Sequence, residues 1–103
     1  MIQTECGLLC IISKNSNNYI KDFIERLSKL QHRGRDCFGV SYLDSNLKVL
    51  KKKGLVKKEL FSDKQLSVNS KCILGHVRYS TSGAKDNETI LKNCQPFLSY
   101  NKL

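Results

Sequence analysis

Two side chains far apart in the sequence are the best suited to chemistry. Cys6 stands in Glu5-Cys6-Gly7, directly before the apolar run Leu8-Leu9-Cys10-Ile11-Ile12, and Arg78 stands in Gly75-His76-Val77-Arg78-Tyr79-Ser80-Thr81-Ser82-Gly83. A cysteine at the mouth of a buried strand, followed by a glycine that lets a ligand approach the backbone, is well placed to act as a nucleophile. Arg78 ends an apolar stretch and is followed at once by the turn formers Ser80, Thr81, Ser82 and Gly83. This puts it at a strand-to-loop junction, where side chains meet ligands more often than they meet a core. Its planar fork of N–H donors suits a carboxylate or a phosphate, which a lysine does not match. Each residue also has a plain structural reading: a small core cysteine for Cys6 and a surface ion pair for Arg78.

Recognisable elements position these residues. Leu8 to Ile12 has the length and continuity of a strand buried on both faces. Asn15, Ser16, Asn17 and Asn18 offer a helix cap, and Ile20, Phe23, Ile24, Leu27 and Leu30 then recur on one side of a helix expected over 18–30. The helix should end near Gly34 and lie on a sheet. A second strand is expected over 37–43, a turn at Asp44-Ser45-Asn46 and a returning strand over 47–50, then a short helical section over 58–66. The strand that ends at Arg78 follows. Residues 80–93 read as loop, and Gln95-Pro96-Phe97-Leu98 as a further extended piece.

Composition narrows the function classes. With 103 residues there is room for one small domain, and 40% hydrophobic with 26% charged residues is ordinary for a water-soluble fold. No apolar run approaches the ~20 residues of a membrane helix, and no basic, apolar signal segment opens the chain, so the expected compartment is the cytoplasm. The net charge of +9 admits an anionic partner. Lys51-Lys52-Lys53 and Lys57-Lys58 nevertheless read as a solvated face, without the interleaved aromatics that stack nucleic-acid bases. Nucleic-acid binding is therefore a lesser alternative. Five cysteines, an odd number, argue against a disulfide framework and are expected to be reduced. Cys6, Cys10, His32 and His76 lack metal-ligand spacing, so no metal site is expected. His76 is read as packed or hydrogen-bonded on its strand.

The order of four motifs is more specific than any one of them: Glu5-Cys6-Gly7, Gln31-His32-Arg33-Gly34, Gly75-His76-Val77-Arg78-Tyr79-Ser80-Thr81 and Gln95-Pro96-Phe97. This series resembles the start of the class II, or N-terminal nucleophile, glutamine amidotransferase domain, most closely that of the amidophosphoribosyltransferase family of purine synthesis. The resemblance implies an α+β fold, the N-terminal portion of an α/β/β/α sandwich. It implies a leader over residues 1–5 and an amidotransferase domain over 6–103 that covers about the first half of the family's glutaminase domain. Cys6 is then the nucleophile, Arg78 holds the α-carboxylate of glutamine, and Thr81 lines the same pocket. Arg33, Gly34 and Asp36 resemble an architectural junction. Removal of the leader frees an α-amine with a pKa of about 7.7–8.0, a built-in base beside a thiol of about 8.5.

The departures from the family set further expectations. Cys10 stands where glycine is common, and Leu8-Leu9 replaces Val-Phe, changes that a repacked core tolerates. The Asn-Gly pair that forms the family's oxyanion hole, and an aspartate that binds the substrate ammonium, are not in these 103 residues. Loss of one oxyanion donor typically costs about 10²–10³ in rate. The 103-residue polypeptide is therefore expected to keep its leader and turn over glutamine near background, unless a partner chain supplies the missing half-domain. No cofactor is expected in this segment, since the family's Mg2+ belongs to the transferase domain. A truncated, non-catalytic relic or interaction module that retains the motif is the alternative to an enzyme.

Overall fold

The computed structural model describes residues 7–31, 36–78 and 87–97, apart from the side chains of Asn87 and Thr89. Four strands, β1 (Gly7–Asn17), β2 (Cys37–Leu43), β3 (Leu47–Lys53) and β4 (Ser70–Arg78), form one sheet in the order β1-β4-β2-β3, with every neighbouring pair antiparallel. The domain is α+β. The predicted β2–β3 hairpin is present, with β3 running three residues further than the apolar pattern alone suggested because Lys51, Lys52 and Lys53 also pair with β2. Lysines suit this place, since β3 is a sheet edge and charge deters a further strand from adding to it.

Helix α1 (Ile20–Lys29) covers one face of the sheet. Its buried stripe of Ile20, Phe23, Ile24 and Leu27 joins Phe38, Val40, Tyr42, Ile73 and Val77 in a single core. The helix begins two residues later than predicted. Tyr19 occupies the N-cap position with no side-chain hydrogen bond, so none of the candidate asparagines caps it, and Leu30 closes it before the region of Gly34. A Cβ added to Gly75 would come within 2.6 Å of the Phe23 ring. The glycine thus lets a helix side chain, rather than another backbone, settle against β4.

The other face of the sheet departs from expectation. Burial along β1 alternates, with Leu8 67% and Ile12 80% exposed, so this strand is covered on one side only. Its outward residues lie beside Cys72 and Leu74 of β4, which face the same way as Ser41 and Leu43 of β2. An apolar trough of about 290 Å3 runs here, lined by Leu43, Leu47, Val49, Leu74, Pro96 and Phe97.

The short helical section divides into a 3-10 turn (Lys58–Leu60) and α2 (Asp63–Leu66). Ser62 and Gln65 form a reciprocal capping box on α2, each side chain bonding the other's backbone N–H. Helix α3 (Asn87–Lys92) lies in the segment read as loop. Beyond it, the carbonyl of Gln95 rests against Gly39 so closely that a Cβ there would collide with backbone. Gly39→Ala is expected to cost about 1–3 kcal/mol, because backbone cannot yield as a side-chain tip can. A melting temperature equal to that of the parent chain would contradict this contact.

Candidate functional site

Arg78 is the last residue of β4 and half-buried. Its neighbours hold the backbone in place. It pairs with Cys37 of β2, and its carbonyl accepts a hydrogen bond from the Asp36 N–H at 3.2 Å. The Asp36 carbonyl in turn accepts from the Gly54 N–H at 2.9 Å. Gln31 completes this junction from the end of α1. Its side-chain N–H donates to the Gly54 carbonyl at 3.2 Å, and its Oε1 accepts from the Val56 N–H at 2.6 Å. Gln31 is buried, so this clamp fixes the exits of α1 and β3 around the end of β4. The architectural role expected of this junction is visible in Asp36, while Arg33 and Gly34 lie outside the described residues.

No side chain among the described residues makes an ion pair with the Arg78 guanidinium, so the surface-pair reading finds no support there. His76 precedes it on the same face of β4. Its ring is buried as expected, yet Nδ1 has no hydrogen-bond partner. Burial, reinforced by the neighbouring Arg78 charge, holds this imidazole below its ordinary pKa and favours the neutral ring.

Cys6 and Thr81 lie outside the described residues. The residue that follows Cys6 is described. Gly7, which follows Cys6, pairs with Val77, which precedes Arg78. Gly7 itself serves packing: a Cβ there would meet Val77 at 2.8 Å and Leu30 at 3.0 Å.

The comparisons decide the family. An amidophosphoribosyltransferase of Archaeoglobus fulgidus is 38% identical over 98 residues, which is 94% of this chain and 20% of that protein. A chloroplastic amidophosphoribosyltransferase of Arabidopsis thaliana is 40% identical over 103 residues, 99% of this chain and 18% of its own length. A glutamine–fructose-6-phosphate aminotransferase of Sulfolobus acidocaldarius is 38% identical over 80 residues, 76% of this chain and 14% of its own. Over most of its length the chain is thus a homologue of class II glutamine amidotransferases. It spans about a fifth or less of the length of these curated relatives. No family model matches it.

The sequence reading missed one arrangement among the described residues. Cys37 and Cys94, 57 residues apart, lie sulfur to sulfur as a disulfide, whereas all five cysteines were expected to be reduced. Nothing in their spacing announces the pair, because β2 and the segment after α3 meet only through the fold. Among the described residues there is no cluster that could hold a metal ion, and no helix is long and apolar enough to cross a membrane.

Proposed function

We propose that this chain carries the glutamine-hydrolysing half of an amidophosphoribosyltransferase-type enzyme of purine nucleotide biosynthesis, acting in the cytoplasm. The observation that carries this reading is the Gly7–Val77 pairing, which sets the strand leading from Cys6 beside the strand that ends at Arg78. In this reading residues 1–5 are removed and the freed α-amine of Cys6 takes the thiol proton. The thiolate attacks the side-chain amide carbon of glutamine. The amide C–N bond breaks, ammonia leaves with the proton returned by the α-ammonium group, and water then cleaves the thioester to glutamate. Arg78 grips the glutamine α-carboxylate through paired N–H donors, and Thr81 lines the same pocket.

The α/β/β/α sandwich is supported by the sheet's uneven covering. One face is sealed by α1, while the other exposes Leu8 and Ile12 and opens the apolar trough. A second layer over that face completes a domain of which these residues are the leading part, whether the same polypeptide or a partner chain supplies it.

The test is glutamate release from glutamine by the protein as expressed from its own gene, compared with its Arg78→Lys variant. Hydrogen bonds to a charged group are worth about 1.5–3 kcal/mol, so loss of the fork should raise KM for glutamine about 10- to 100-fold with a smaller change in kcat. An unchanged KM would remove Arg78 from the substrate. Absence of glutaminase activity together with salt-dependent oligonucleotide binding would replace the reading altogether.

A further inference from the structure

Segment 87–97 is fastened to the sheet beside Arg78 by a small set of contacts. Helix α3 lies along β3, the Gln95 carbonyl rests on Gly39, and Lys51 Nζ sits 4.7 Å from the centre of the Phe97 ring. A further tie is between Cys94 and Cys37, the first residue of β2 and the pairing partner of Arg78. Their Cα atoms are 6.2 Å apart, within the range a disulfide spans, and neither residue has accessible surface. The same positions also suit the reduced pair: Cys37 Sγ lies 3.9 Å from the Ile90 carbonyl and Cys94 Sγ 3.9 Å from the Gln95 carbonyl, each a partner for a weak S–H donor.

We infer that Cys37 and Cys94 form a reversible thiol–disulfide site that locks residues 87–97 onto the sheet beside Arg78 when oxidised and lets them lift when reduced. The oxidant is a low-molecular-weight disulfide. One cysteine thiolate attacks it, forming a mixed disulfide and expelling one thiolate. The second cysteine then attacks the protein sulfur, closing the Cys37–Cys94 bond and expelling the other. Two protein thiols lose two protons and two electrons, and the small disulfide is reduced to two thiols. Because both cysteines are buried, the exchange requires the segment to open first, so its rate follows opening. Cys10 and Cys72 are the other described cysteines. They lie diagonally across β1 and β4 on the open face, far more accessible, and they make the natural internal control.

The experiment treats the full chain with glutathione disulfide or with dithiothreitol, followed by peptide mapping and amide hydrogen exchange. The expected product has lost two hydrogens through a Cys37–Cys94 link. Amides in residues 91–97 should exchange about tenfold or more slowly than in the reduced chain, and added dithiothreitol should reverse this. Cys94→Ser should abolish the difference, and Cys10→Ser should preserve it. Since Cys94→Ser could disturb folding by itself, reversal by reductant in the parent chain gives a second reading. A bond that joins Cys10 to Cys72 while Cys37 and Cys94 remain open to alkylation overturns the inference. So does equal exchange of 91–97 in both redox states.

Discussion

Cys6→Ala, in the protein as expressed from its own gene, is expected to reduce glutamate release from glutamine to the uncatalysed rate. The reason lies in what else could take over. Cys37 and Cys94 are fully buried and bonded to each other, so neither presents a thiolate to a substrate. Cys72 is half-buried on the open sheet face. Cys10 is exposed, but desolvation and the neighbouring Cys72 push its thiol above the ordinary range, which lowers the thiolate fraction at neutral pH. Position counts against both as well. Cys10 and Cys72 pair with Leu74 and Ile12, several residues along the strands from the end that carries Arg78. Cys10→Ser should therefore leave turnover near that of the parent. If residues 1–5 are a leader that the cysteine itself removes, the alanine variant should also keep them. Intact mass gives that readout independently of activity. Retained glutaminase activity in Cys6→Ala would end the nucleophile assignment.

The fold was legible where one physical signal dominated. The stripe from Ile20 to Leu27 specified α1 because its spacing admits one buried face, and the β2–β3 hairpin followed from two apolar runs flanking Asp44-Ser45-Asn46. Burial of β1 was misjudged for a physical reason. An unbroken apolar run implies cover on both faces only if two layers are present, and here α1 supplies one. Helix α3 was hidden because six residues are too few to establish a period. At the candidate site, Arg78 lay at the strand end where the turn formers after it had located it. The Gln31 clamp could have been suspected, since a buried glutamine at a helix end must spend its polar atoms on backbone. The tie between Cys37 and Cys94 could not, because it is a product of topology alone.

The largest effect on stability is expected from Phe23→Ala. Phe23 is fully buried, and its ring lies over Gly75, where β4 has no side chain of its own. Removing the ring leaves a cavity between α1 and the central strand that a glycine cannot fill, at a cost of about 3–5 kcal/mol. Set against a typical domain stability of 5–15 kcal/mol, that loss brings a small domain close to unfolding. The matching substitution on the opposite face is Leu8→Ala. In the 103-residue chain Leu8 is 67% exposed, so its loss should change stability by no more than about 0.5 kcal/mol. Urea denaturation of the two variants beside the parent measures the contrast directly, and comparable shifts in midpoint would deny that the sheet has one sealed face. The same pair extends to any longer form of the protein. If a second layer covers Leu8 and Ile12 there, Leu8→Ala should become costly by the ordinary 2–5 kcal/mol of a buried leucine, while the cost of Phe23→Ala stays nearly unchanged. A Leu8 effect that remains small in the longer protein would leave the open face solvated and remove the support it lends to the sandwich.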